Sequence, residues 1–284
     1  MTTEPECVWP VETMLGEGPI WVPSDETLWF VDIKKQHIHR FHPASGDKQM
    51  FRTPESAGFL APEPDGSFIA GLASGLYRFN PADGAFTLLY RVDADRPGNR
   101  INDGARDPSG RLWFGTMDNG ESEPTGSLYR LDPDGPRAVD RGICITNGPC
   151  FSPDGRTLYH TDTRERTIHA FDLAPDGTLS NKRVWVTIEE GAGYPDGSVT
   201  DAEGCVWVGL YAGWAARRYA PDGTLLSTVR FPCANITKLA FAGPDRKTVY
   251  ATTAWKGLDD AARAAQPLAG GLFRFRADVP GVAS

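Results

Sequence analysis

The chain repeats itself six times. A turn such as "PDG" or "PSG", followed at once by a short apolar run, recurs as "PSDETLWFVD", "EPDGSFIAGL", "DPSGRLWFGT", "SPDGRTLYHT", "DAEGCVWVGL" and "GPDRKTVYAT". Aligned on the aromatic that follows the turn (Trp29, Phe68, Trp113, Tyr159, Trp207 and Tyr250), the units are 39, 45, 46, 48 and 43 residues apart. Each then adds an alternating run that closes on another turn: "IHRFHPASG", "LYRFNPADG", "LYRLDPDG", "IHAFDLAPDG", "ARRYAPDG" and "LFRFRAD". Self-similarity at this period marks an array of small supersecondary units. Glycine (31) and proline (23) are plentiful and long helical periodicity is nearly absent, so each unit reads as short strands joined by tight turns. About four strands per unit predict an all-β, six-bladed β-propeller with four-stranded antiparallel blades, spanning 1–284 as a single domain. Two β-sandwiches would not repeat so evenly.

A ring of blades must close. The segment "ECVWPV" (Glu6–Val11) precedes the first inner strand and has no partner in its own unit. It is predicted to supply the outer strand of the last blade. Composition narrows the partners. The formal net charge is −8, and no Lys/Arg run is long enough to neutralise several phosphates, which argues against nucleic acid. No stretch approaches the roughly 18 apolar residues that span a bilayer. The N-terminal "MTTEPECVWP" lacks a basic n-region and an apolar h-region, so the expected location is cytoplasmic. The five cysteines are irregularly spaced and are expected as thiols. Cys144 and Cys150 bracket the Asn-Gly-Pro turn of "ICITNGPCF" and are expected as buried apolar residues. His37, His39 and His42 are expected to be solvated, and no histidine spacing suits a metal.

In a propeller the first strand of each blade lines the axial channel, so residues at one offset before the aligned aromatic should ring one end of it. Eleven or twelve positions before the aromatic stand Glu17, Asn102, Asn147, Asp196 and Lys238. The second blade offers only Ala57, Gly58 and Phe59 nearby. Asn-Gly, Asp-Gly and Glu-Gly-Pro are ordinary turn sequences one at a time. Four oxygen-bearing side chains at one level are more than turns require. Carboxylates converging on an axis need a counter-charge, and hard divalent cations take such ligands. The expected site is one divalent cation held by Glu17, Asn147 and Asp196, with open positions for water and substrate.

"LGEGPIW", "RINDGARDPSGRLWFGTM", "ITNGPCFSPDGRTLYHTDT" and "YPDGSVTDAEGCVWVGL" resemble the signatures of the SMP-30/gluconolactonase/regucalcin family, over about residues 13 to 276. Within it, "CITNGPC" and "PLAGGLFRF" are most similar to bacterial xylonolactonase-type enzymes. The resemblance implies a six-bladed propeller with one divalent metal and hydrolysis of aldonolactones. It maps the family's ligands onto Glu17, Asn147 and Asp196, and its substrate contacts onto Arg100 and Asn102. An acidic substrate contact implied after "GTM" falls on Glu121 or Asp118.

Opening a sugar lactone needs a polarised carbonyl, an activated water and a group to take its proton. Asp196 is the expected base, provided one of its oxygens stays free of the metal. Arg100 can donate to ring or hydroxyl oxygens, and Asn102 can bind substrate, hold a water or merely cap its turn. Oxygen ligands admit Ca²⁺, Mg²⁺ or Mn²⁺, and carboxylate affinity also admits Zn²⁺ and Fe²⁺. The expected partner is a small sugar lactone (a pentonolactone such as xylono- or arabinonolactone, or gluconolactone), bound by a monomer. Phosphotriester hydrolysis and a non-enzymatic calcium-binding regulatory role are the alternatives. Loops leaving the second strands should form the rim, with a short helix in "GLDDAARAAQP" and an aromatic face from Tyr211, Trp214 or Trp255.

Overall fold

The computed structural model describes residues 4–282; the first three residues of the "MTTEPECVWP" stretch lie outside the described residues. Six four-stranded antiparallel sheets form a ring, the six-bladed β-propeller that the repeat predicts. Blades 1 to 6 begin with the innermost strands Gly16–Val22, Ala57–Pro62, Asn99–Arg106, Thr146–Phe151, Tyr194–Thr200 and Asn235–Ala242. In blades 1 to 5 the strands follow in chain order from the axis outward. Blade 6 is completed by Glu6–Trp9, which pairs antiparallel with Leu272–Arg276. The predicted closure is therefore observed, and the Thr13 hydroxyl reinforces it by bonding to the carbonyl oxygens of Thr253 and Gly270.

The repeat has a physical reason. A blade is apolar on both faces and buries them only against its neighbours. Accordingly each blade interface holds one cluster of buried apolar side chains. The aligned aromatics lie in these clusters, such as Trp29 with Phe68 between blades 1 and 2, and Trp207 with Phe241 and Phe275 between blades 5 and 6. A buried indole N–H needs an acceptor. In "DPSGRLW" and "DAEGCVW" the turn aspartate provides it, with Asp107 accepting from Trp113 and Asp201 from Trp207, each at 3.0 Å. One aspartate thus shapes the turn and pairs the tryptophan six residues later.

Two expectations about side chains need correction or are met. All five cysteines are free, and Cys144 and Cys150 are buried as expected. His39, expected in solvent, is buried. The ring-closing strand brings Trp9 edge-on to its imidazole, and Phe30 stacks on it at 4.9 Å. The N-terminal strand, seated at the outer edge of blade 6, covers a face that local alternation leaves open. Among the described residues no helix is long and apolar enough to cross a membrane.

Candidate functional site

Every innermost strand slips register against its neighbour near its start: after Glu17, Ala57, Ile101, Asn147, Pro195 and Ile236. Such slips re-aim side chains. Their sixfold recurrence carries the ring of polar groups. Counting three residues back from the partner of each aligned aromatic gives Glu17, Phe59, Asn102, Asn147, Asp196 and Thr237. The four predicted oxygen-bearing side chains therefore share one level, and all are buried. Lys238 lies one residue deeper than its offset suggests, and Thr237 takes its place, bonding through its hydroxyl to the Gly16 carbonyl.

Blades 3 to 5 are joined by one hydrogen-bonded chain. Arg100 Nη1 donates to Asn102 Oδ1 at 2.6 Å, and Asn102 Nδ2 donates to Asn147 Oδ1 at 2.9 Å. Asn147 Nδ2 donates to Thr163 Oγ1 at 2.9 Å, and the Thr163 hydroxyl donates in turn to the Pro195 carbonyl at 2.8 Å. The amide of Asn147 is thereby oriented with its oxygen toward Asn102, and one lone pair of that oxygen stays available. Arg100 is buried, and its Nε has no acceptor among the described residues. Burial pulls its guanidinium down to about 10, opposed by Glu121, Glu17 and Asp196. The arginine thus lies within electrostatic reach of both carboxylates of the ring.

Those carboxylates are poorly compensated. Glu17 accepts one bond, from the Gly18 amide at 2.8 Å, and Asp196 has no ion-pair partner among the described residues. Burial first, then repulsion from Asp103, pushes Glu17 up to about 8. Burial and then the charges of Glu17 and Asp103 push Asp196 well above the usual carboxylate range. Two desolvated carboxylates that hinder each other's ionisation are a donor set suited to a hard cation. Glu17, Asn147 and Asp196 are the residues present to hold one. Among the described residues no three His, Cys, Asp or Glu side chains cluster as metal ligands.

The sequence reading missed Asp103. It is almost fully buried beside Asn102 in "RINDG", and it forms an ion pair with Lys238. Its signal is an Asp-Gly pair like that of Asp196-Gly197, masked because Asn102 precedes it.

Strand pairing places the loops between second and third strands at the Glu17 end, since Gly16 faces Asp32 and Asn99 faces Asp118. These loops form the rim as expected. Asp118 is consumed by its own loop, where its carboxylate accepts from the amides of Gly120, Ser122 and Glu123. That leaves Glu121 as the available carboxylate, ion-paired with Lys256 of blade 6. Lys34 joins this edge through Asn119 Oδ1 at 3.3 Å. The expected helix spans Asp260–Ala265, with Asp259 capping it through the Ala262 amide. Of the three candidate aromatics, Tyr211 feels the charges of Asp196 and Glu121, which after burial help raise its phenol. Trp255 instead lies under the Arg263 guanidinium at 4.1 Å, and Trp214 lines a separate cleft with Glu189 and Arg217.

Comparison with known proteins agrees with this architecture. A regucalcin of Xenopus laevis is 35% identical over 281 residues, covering 95% of this chain and 93% of that protein. A 6-deoxy-6-sulfogluconolactonase of Pseudomonas putida is 32% identical over 280 residues, covering 98% of this chain and 96% of that protein. The crystal structure of a calcium-binding protein, regucalcin, from Agrobacterium tumefaciens superposes with a TM-score of 0.94 at 33% identity, over 99% of this chain and 95% of that one. The SMP-30/gluconolactonase/LRE-like region matches residues 15–255, and the chain belongs to that family.

Proposed function

We propose that the protein hydrolyses an aldonolactone to its aldonic acid, using one divalent cation (Fe²⁺, Ca²⁺, Zn²⁺, Mn²⁺ or Mg²⁺) held by Glu17, Asn147 and Asp196. The carrying observation is the pair of buried carboxylates, Glu17 and Asp196, that crowd one channel end without a basic partner of their own. Relatives named as sugar lactonases support the substrate class. Pentonolactones such as xylono- and arabinonolactone, and gluconolactone, are the substrates to test first.

The cation, when bound, supplies Lewis-acid polarisation of the lactone carbonyl and lowers the pKa of bound water. The remaining work belongs to side chains. Asp196 accepts the proton of the attacking water on an oxygen not used for ligation. Arg100, whose Nε lacks an acceptor, donates to a substrate oxygen, and Asn102 fixes that arginine from behind. Glu121 accepts from sugar hydroxyls at the rim. The buried walls of the channel keep these charges in a low dielectric, where each acts more strongly than in water.

The test is acid release from a panel of pentono- and hexonolactones, corrected for spontaneous hydrolysis, with stripped and reconstituted protein. Cation-dependent turnover is expected, and Asp196→Asn should lose turnover while keeping part of the cation binding. Cation binding without hydrolysis of any lactone would instead leave a calcium-binding protein. Wild-type turnover in Asp196→Asn removes that residue from the base role.

A further inference from the structure

One residue deeper than the polar ring, the six innermost strands present Gly18, Leu60, Asp103, Gly148, Gly197 and Lys238. Three glycines make room there. A Cβ on Gly148 would lie 2.5 Å from the Ser198 amide, and one on Gly197 would lie 2.5 Å from Lys238 Cγ. Into this room project two charged side chains, Asp103 and Lys238, both buried and paired with each other.

The pair touches the supports of two ring residues. Asp103 Oδ2 accepts from the Gly148 amide at 2.8 Å, directly after Asn147, and Oδ1 accepts from its own Gly104 amide at 2.7 Å. The Lys238 stem lies over Gly197, directly after Asp196. A buried ion pair is on average no better for stability than an apolar pair of equal volume. Stability alone therefore does not account for one at this level.

We propose that the Asp103–Lys238 pair is a resident counter-ion device that sets the net charge of the polar ring and positions Asn147 and Asp196 for a divalent cation. The proposal rests on the cation site described under Proposed function. With Glu17, Asp196 and Asp103 ionised, three negative charges face the Lys238 ammonium and the Arg100 guanidinium, so removing either member of the pair changes by one the charge that a cation meets. Lys238 is a positioning residue here. It acts through Asp103 and through its own charge.

The sign of the effect separates charge from scaffolding. Lys238→Met keeps the stem over Gly197 and removes a positive charge. Asp103→Asn keeps the shape and removes a negative one. Binding of Ca²⁺ and Tb³⁺ to stripped protein at neutral pH is measured by titration calorimetry, beside thermal unfolding. Lys238→Met should bind both ions more tightly, Tb³⁺ gaining more, and Asp103→Asn should bind both more weakly, each by on the order of tenfold. The double variant should return to within about threefold of wild type, since its charge count is restored. Parallel losses in both single variants overturn the charge-setting role while leaving the cation site standing. Should either single variant fail to fold, the volume-matched double variant still decides, because scaffolding alone predicts weakened binding there. Wild-type protein that binds neither ion overturns the cation site and this proposal together.

Discussion

Glu121 and Lys256 form an ion pair between blade 3 and blade 6, which stand opposite each other around the ring. The pair bridges the mouth of the channel, with Asn119 and Lys34 as a second tie from the same loop to blade 1. Both partners are partly exposed, so the pair adds little to stability. Its consequence falls on access and on substrate hydroxyls. Glu121→Gln and Lys256→Met are expected to raise KM by roughly threefold to tenfold, the scale of one lost polar contact, with small changes in kcat and in melting temperature. Michaelis kinetics on the best lactone decide it. Unchanged KM in both variants removes the loop from substrate binding.

Asn147 is held from both sides, by Asn102 Nδ2 at 2.9 Å and by Thr163 Oγ1 at 2.9 Å. Groups that orient a ligand tune affinity although they do not touch the ion. Thr163→Val removes one tether at nearly constant volume. Cation affinity is expected to fall by roughly 10–100-fold, read by titration with the same cation that supports turnover. Affinity equal to wild type would mean that Asn147 needs no orientation, or is not a ligand.

The repeat made the propeller legible because each unit carries its own turn, aromatic and second run. Closure was legible for the complementary reason, that Glu6–Val11 had no local partner. The ring of Glu17, Asn102, Asn147 and Asp196 followed from a common offset. The level of Lys238 did not, because strand register, not residue count, sets depth in the channel. Asp103 stayed hidden behind Asn102. The Glu121–Lys256 and Asp103–Lys238 pairs each join residues 135 positions apart, a separation at which a single sequence carries no pairing signal. His39 was misjudged because its cover comes from Trp9, across the ring closure.

Burial raises Glu17 to about 8 in the cation-free protein. An unfolded glutamate titrates near 4.3. Between these values the folded chain keeps a proton that the unfolded chain has lost, so this contribution to stability is full at low pH and disappears as pH rises to about 8. Stripped protein should therefore lose melting temperature over that interval, and Glu17→Gln should flatten the decline. A bound cation must displace the same proton, so its affinity should rise with pH up to about 8. Calorimetry in buffers of different ionisation enthalpy counts the protons released. No release at pH 7, with full binding, would show that Glu17 is ionised without the cation.

His39 produces the opposite slope, far from the channel. Burial, with help from His37 and Lys35, lowers its imidazole to about 4, and neither ring nitrogen has a hydrogen-bond partner among the described residues. His160 is lowered to about 3, again chiefly by burial. Unfolded histidine titrates near 6.5. Below that value the unfolded chain takes up protons that the folded chain refuses, so stability present at neutral pH is lost as pH falls toward 4. The shift at His39 alone corresponds to about 3 kcal/mol between those limits. His39→Phe keeps a ring between Trp9 and Phe30 and removes the titration. It is expected to match or exceed wild-type stability at pH 7 and to exceed it clearly at pH 5, as read by urea unfolding at both values. An equal gap between variant and wild type at the two pH values would mean that His39 finds a partner for its proton in the folded protein.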